Sequence, residues 1–500
     1  VLRKFNIQAE ESKHIRKLKE VRNMASNHGK SKLDQFRENF GLPIAIIVTL
    51  LVWFLPAPAG LSAVGQRALA LFSGIFVLYL TESIPLVATS IAIVPLAVLM
   101  GIVKVGPGLA PFASSSVFLM FGAFVLAAAM IKTKLAERLT YLILNIVGST
   151  TLRITIGITL ANIMLSFLIP SSTARTAILL PVCISIIALF KPEGRTKFGA
   201  NLLLTLAFTN ATISAGILTA TVPNPVTVDL IQKAGGHAIS YVEWLKIGFP
   251  PALVMTALTW AFIQFVFKPE HKEIPGGAAY VKSRLESMGK MTYAETYTLI
   301  VFICVVVLWA TGSVTKINTT IACMIVTVPL FFPKIGVMTC KEASPHVSYD
   351  VLLITGGGLS LGTLLMTSGA AKWMAATAFA AFGLKGMAVL MLLTLVMFIV
   401  QFMHFVFVGT TVMATAMLPM VIALGVEAGL PPALLALPAG MIIGGYPILM
   451  FYCTNPNVLV YGTGQLTVGD FPRVGLPVSI MACIVYAACA ATYWRWIGLY

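Results

Sequence analysis

Polar and charged residues along this 500-residue chain fall in short clusters separated by long apolar runs, and that spacing dictates the elements. Charge-free runs such as 41–66, 83–103 and 428–469 exceed the roughly 18 residues that read as a transmembrane helix. Helices placed on the runs give spans near 43–57, 67–82, 85–103, 115–132, 200–221, 247–267, 293–312, 317–333, 349–367, 431–452 and 474–494. The pattern predicts an all-α polytopic membrane protein with eleven transmembrane helices. Two further apolar stretches, 152–190 and 386–428, are long enough to go in and out, and small hydroxyl residues interrupt each midway. They read as re-entrant hairpins, because broken backbone persists at membrane depth only where protein buries it or a wet cavity lines it. The alternating ten-residue segments of a β-barrel are absent.

Composition agrees: 58% of residues are hydrophobic and 10% charged, against about 25% charged in soluble domains. Seven cysteines lie scattered without a CxxC pair, so neither a disulfide framework nor a metal site is suggested, and no cofactor is expected. The net charge of +16 is informative through its placement and does not imply nucleic-acid binding. Residues 1–40 carry ten Lys/Arg, five acidic residues and no apolar run, which excludes a cleavable signal peptide. They read either as a cytosolic amphipathic arm on an anionic membrane surface or as a disordered tail held inside by its charge. With the amino terminus inside, 25 Lys/Arg fall on the inner side and eight on the outer. That bias predicts a cytoplasmic amino terminus and an outer carboxy terminus in a plasma (inner) membrane, where Tyr493, Trp494 and Trp496 suit an interfacial aromatic belt.

The chain repeats itself. Ser171, Ser172 and Thr173 open a hairpin arm that reaches Pro181, and Gly409, Thr410 and Thr411 open one that reaches Pro419, each proline eight residues after its threonine. TVPN at 221–224 answers TNPN at 454–457, and LKIGFP at 245–250 answers PRVGLP at 472–477. The predicted organisation is an arm (1–40), a first helix (41–66), repeat 1 (67–268), a cytosolic linker (269–292) and repeat 2 (293–500). Five crossings follow the first helix in each half, so the halves enter from opposite sides as an inverted repeat. Such repeats build secondary transporters, with the site near the bilayer midplane where discontinuous helices meet.

The chemistry of the breaks points to an anion. Each break offers a helix N-terminus with unpaired N–H groups and partial positive charge, and Ser171, Ser172, Thr173, Thr221, Thr410, Thr411 and Thr454 add hydroxyl donors. Asn224 and Asn457 supply amides that replace backbone partners lost at the prolines. Carboxylates are scarce within the runs, Glu82 being the one clearly inside, whereas a cation carrier or proton pump needs more. Two cationic candidates remain, Arg175 and His404. An uncompensated arginine at that depth costs about 2.5–3.5 kcal/mol on the gentlest scale, so Arg175 needs carbonyls, a carboxylate or an anionic ligand. His404 reads as either a neutral structural residue or a charge that fades as pH rises. Enzyme signatures are weak: there is no HExxH, and the GxSxG around Ser360 lies in an apolar helical run, where it reads as close helix packing.

The hairpin tripeptides, the TxPN pair, TESIPL at 81–86 and VGDFPRVGLP at 468–477 resemble the divalent anion/sodium symporter family over nearly everything beyond residue 40. The resemblance implies homodimers with eleven crossings and two hairpins per protomer, divided into scaffold and transport domains. It implies carriage of small anions, namely dicarboxylates, tricarboxylates or sulfate, by an elevator movement. Residues 132–144 and 372–382 then read as interfacial arms between the domains. Sodium-coupled members carry Ser-Asn-Thr in both hairpins, whereas this chain has Ser171-Ser172-Thr173 and Gly409-Thr410-Thr411. Arg175 resembles the arginine of the family's sodium-independent exchangers. The expected function is sodium-independent exchange of di- or tricarboxylates; the alternative is a sodium-coupled dicarboxylate or sulfate symporter.

Overall fold

The computed structural model describes residues 32–190, 194–384 and 386–499. The terminal arm up to residue 31, Lys191 and Lys385 lie outside the described residues. Among those described there is no β-strand, only one isolated bridge between Thr150 and Glu273. Helices occupy every span expected from the apolar runs: Lys32–Phe54, Ala63–Thr81, Leu86–Leu99, Ser115–Lys132, Lys197–Ser214, Tyr241–Val266, Tyr293–Ala310, Thr319–Thr327, Tyr349–Thr367, Pro432–Gly445 and Asp470–Ala491. Nine helices among the described residues are long and apolar enough to cross a membrane.

Four spans differ from the sequence reading. The first helix begins at Lys32 rather than near 43 and runs through Pro43. Its polar first turns are held by Arg37, whose guanidinium donates to Leu80 O at the end of the next helix. The expected span 317–333 narrows into a 3₁₀ turn, Val328–Phe331, at Pro329. The spans 200–221 and 431–452 stop early, at Ser214 and Gly445, and resume as the short helices Pro223–Lys233 and Asn455–Tyr461.

Each stretch read as a hairpin is a helix, a short break and a second helix. The first comprises Thr151–Leu168 and Ser172–Ala188, and the second Val389–Met403 and Thr410–Glu427. At the first break Pro170 has no N–H to continue the ladder, and the Ser171 side chain caps the new helix by accepting from Ala174 N. At the second, Gly409 has φ +105°, a left-handed value open to glycine, and nothing lies within 4 Å of where its Cβ would stand. A helix precedes each hairpin, Leu135–Val147 and Ala370–Ala381; the first is amphipathic, whereas the second is mostly alanine and apolar residues. The first is clamped at its buried Arg138, which pairs with Glu295 at 2.6 Å and donates to Gly289 O and Met288 O.

Lys197–Ser214 and Pro432–Gly445 are buried almost all round and form the centre. Lipid is as apolar as leucine, so such helices associate through close packing and hydrogen bonds. Glycine supplies the closeness, and GxSxG behaves accordingly. A Cβ at Gly358 would lie 2.3 Å from Thr415 Cβ and one at Gly362 2.8 Å from Pro419, while Ser360 donates to Gly108 O at 2.9 Å. The two glycines of LKIGFP and PRVGLP make the same approach, each against the unwound backbone of its own half. A Cβ at Gly248 would stand 3.2 Å from Ala215 O, and one at Gly475 only 2.0 Å from Ile448 O. Backbone cannot retreat as a side chain can, and overpacking costs about 1–3 kcal/mol. Gly475→Val therefore lowers the thermal midpoint and folded yield in detergent, whereas Gly469→Val, with no neighbour inside 4 Å, leaves both near the parent.

Candidate functional site

Helices that carry the four breaks pack across the two halves. Ser172–Ala188, from the first hairpin, packs on Asn455–Tyr461 of the second half. Reciprocally, Thr410–Glu427 packs on Pro223–Lys233 of the first. Pro432–Gly445 touches both Lys197–Ser214 and Pro223–Lys233. A Cβ at Gly444 would stand 2.7 Å from Thr221 Cγ2 and 3.1 Å from Asn224 Oδ1, so the TVPN break lies directly against the end of the other half's helix.

The two TxPN asparagines do identical work. Asn224 Nδ2 donates to Ser214 O and Ile217 O, both at 2.8 Å. Asn457 Nδ2 donates to Pro447 O at 2.8 Å and Met450 O at 3.0 Å. In both cases the acceptors lie ten and seven residues upstream, at or just beyond the end of the central helix. Both side chains are fully buried, and each amide holds carbonyls that the ladder no longer satisfies.

Both candidate cations are buried behind the breaks. Arg175 is 0% exposed. Its Nε donates to Asn210 Oδ1 at 2.7 Å, Nη1 to Ile169 O at 2.5 Å and Ala220 O at 3.2 Å, and Nη2 to Ser214 Oγ at 2.5 Å. One side chain thus joins the hairpin break to the unwound segment, and all four partners are neutral oxygens. His404 sits at the second break with Nδ1 3.0 Å from Gln401 O and Nε2 3.2 Å from Ile443 O. Carbonyls only accept, so the protonated ring, with two N–H donors, satisfies both contacts at once. Arg175 and His404 occupy related places. Each meets the last turn of its half's central helix, where unpaired carbonyls give a partial negative charge.

The tripeptides are placed differently. Ser171, Ser172, Thr173, Gly409, Thr410, Thr411 and Thr454 are half-buried, with Thr221 at their edge. A cleft at the first tip is walled by Pro170, Thr219 and Thr221 on one side and by Leu119 and Phe124 of Ser115–Lys132 on the other. The tripeptide hydroxyls are thus more accessible than the amides and the two basic side chains, which are buried.

Two polar positions escaped the sequence reading. Asp229 is buried, and its Oδ2 accepts from Ser116 N at 3.3 Å, at the start of Ser115–Lys132. Ser116 Oγ donates to Pro225 O at 2.7 Å. Asp229 was missed because residues 223–233 lie between apolar runs and were given no helix. Asn210 was passed over as one polar residue in an apolar span. Its spacing was the available signal: Asn201, Thr205, Thr209, Asn210 and Ser214 mark polar positions along a helix buried on every side.

A family model described as sodium:sulfate symporter transmembrane region matches residues 37–500. The chain belongs to this family. Membership makes it an integral membrane transporter, in keeping with its long apolar helices. Among its relatives, a protein described as a membrane protein from Cupriavidus necator is 29% identical, over 92% of this chain and 93% of its own. A sodium-dependent dicarboxylate transporter, SdcS, from Staphylococcus saprophyticus is 29% identical over 89% of this chain and 88% of its own length. Its namesake in Staphylococcus aureus is 28% identical over the same shares. Two solved structures share the fold at 12% identity. The MtrF protein of Neisseria gonorrhoeae has TM-score 0.56, over 95% of this chain and 96% of its own. The YdaH transporter of Alcanivorax borkumensis has TM-score 0.52, over 93% and 98%.

For this symporter-family chain the amide anchors give a direct expectation. Asn457→Ala strands the buried Pro447 O, at about 1–3 kcal/mol, and weakens the hold on Met450 O, so it should reduce anion uptake into proteoliposomes by about tenfold or more. Transport at the parental rate by a correctly inserted Asn457→Ala protein contradicts the assignment.

Proposed function

We propose that this chain is a sodium-independent antiporter that exchanges dicarboxylates or tricarboxylates by an elevator movement. The observation that carries the reading is Arg175, a fully buried guanidinium whose partners are all neutral oxygens. Here a fixed side chain supplies the positive charge that a co-bound cation would otherwise bring. His404 occupies the related place in the second half. Ser171, Ser172, Thr173, Gly409, Thr410, Thr411, Thr221 and Thr454 then meet the anion, while Asn224, Asn457, Arg175 and His404 hold and charge the site from behind.

A fixed charge also dictates the mode of transport. A sodium ion can leave with its substrate, but a guanidinium cannot. The empty site retains an uncompensated cation at membrane depth, which costs about 2.5–3.5 kcal/mol or more and disfavours the unloaded crossing. Loaded crossings in alternating directions avoid that cost. The dicarboxylate class is supported by the SdcS relatives. Their names favour the alternative reading, a sodium-coupled symporter, and sodium dependence separates the two. Labelled dicarboxylate should exchange in proteoliposomes at full rate with choline replacing all sodium, and Arg175→Ala should fall far below a surface Lys→Ala variant. Activity lost in choline, or an Arg175→Ala variant as active as its parent, favours symport.

The moving body in this reading contains both hairpins, both broken helices and the helices Tyr241–Val266 and Asp470–Ala491, and the scaffold contains the rest. The protein works as a homodimer in the plasma membrane with its amino terminus in the cytoplasm. Ser116 and Asp229 lie on opposite sides of the sliding surface. Cysteines at 116 and 229, cross-linked, should stop exchange and recover it on reduction; unchanged turnover in fully cross-linked protein argues for a fixed pore with local gates.

A further inference from the structure

Arg175 is positioned by a residue that could have cancelled its charge and does not. Asn210 Oδ1 lies 2.7 Å from Arg175 Nε, and its amide orientation is fixed because Nδ2 donates to Ser172 O and Thr176 Oγ1, both at 2.8 Å. The same side chain thus ties the guanidinium to the hairpin tripeptide at Ser172. Asn210 and Arg175 are both completely buried. A carboxylate would have nearly the same shape at position 210 and would form a charge-assisted bond to Nε. Ser214 offers a second such position, with Oγ 2.5 Å from Nη2.

We propose that Asn210 is a positioning residue that sets the charge of the anion site: it fixes the Arg175 guanidinium with a neutral ligand and so leaves the counter-charge to the transported anion. This rests on the exchange reading above and deepens it. With a neutral ligand the empty site is cationic and the loaded site is compensated. With a carboxylate the Arg175 charge is already paired in the empty site, which can then cross alone more readily, while an arriving dianion meets one positive charge fewer. Asn210 would then determine whether the carrier returns empty.

The ratio to measure is that of labelled dicarboxylate uptake into preloaded proteoliposomes to uptake into unloaded ones, both in choline. The parent should show a high ratio; a parental ratio near one defeats the exchange reading itself and is distinguishable from failure of this proposal. Asn210→Asp should lower the ratio by about tenfold or more, by releasing the unloaded crossing from its charge cost. Ser214→Asp should lower it likewise, by a carboxylate placed against a different guanidinium nitrogen. Asn210→Ala removes the hydrogen bond without adding charge, so its rate should fall while its ratio stays parental. A merely structural role for Asn210 moves rates and not this ratio. Carboxylate variants that insert and transport at the parental ratio, or an Asn210→Ala variant whose ratio collapses, overturn the proposal.

Discussion

Hydrogen bonds from side-chain amides to unwound backbone are the interaction on which the rest of this structure depends. Residues 215–222 and 446–454 interrupt the two most buried helices, where no bulk water can satisfy a stranded carbonyl. Asn224 and Asn457 meet that demand locally, each bonding carbonyls ten and seven residues upstream. Gly248 and Gly475 then let the last helix of each half close on the broken segment. The breaks are thereby fixed features, and the hydroxyl-bearing hairpin tips can be held against them.

The second constraint is electrostatic. Arg175 and His404 are placed among carbonyl, amide and hydroxyl oxygens at the carboxyl ends of the central helices. Neutral ligands hold the Arg175 guanidinium in position without cancelling its charge. Buried pairs of opposite charge do occur in this protein, as in Arg138 with Glu295, but that pair clamps an interfacial helix. Asp229, the buried carboxylate in the second half of a broken helix, faces the start of Ser115–Lys132. Positive charge without a paired carboxylate at the breaks, and a carboxylate turned toward a neighbouring helix, fit a site that receives its counter-charge from a transported anion.

Much of this was legible in the chain because apolar runs and broken periodicity are one-dimensional signals. The paired tripeptides, the TxPN motifs and the LKIGFP/PRVGLP match located the four breaks, and the structure brings helices carrying them into reciprocal contact. What was not legible depended on three-dimensional partners. Sequence spacing could not show that Arg175 spends its donors on Asn210, Ile169, Ala220 and Ser214, or that Asn224 and Asn457 spend theirs on backbone carbonyls. Residues 223–233 were missed as a helix because the run is short and opens on two prolines, so Asp229 went unseen. The first helix was placed too late because its first turns are polar and are held by Arg37, a contact between distant positions.

A fixed cation that forbids the empty carrier to cross should show itself in efflux. Proteoliposomes loaded with labelled dicarboxylate are diluted into sodium-free medium, with or without the same unlabelled anion outside. Label should stay inside until external anion is added and then leave rapidly. Equally fast efflux into anion-free medium would contradict it.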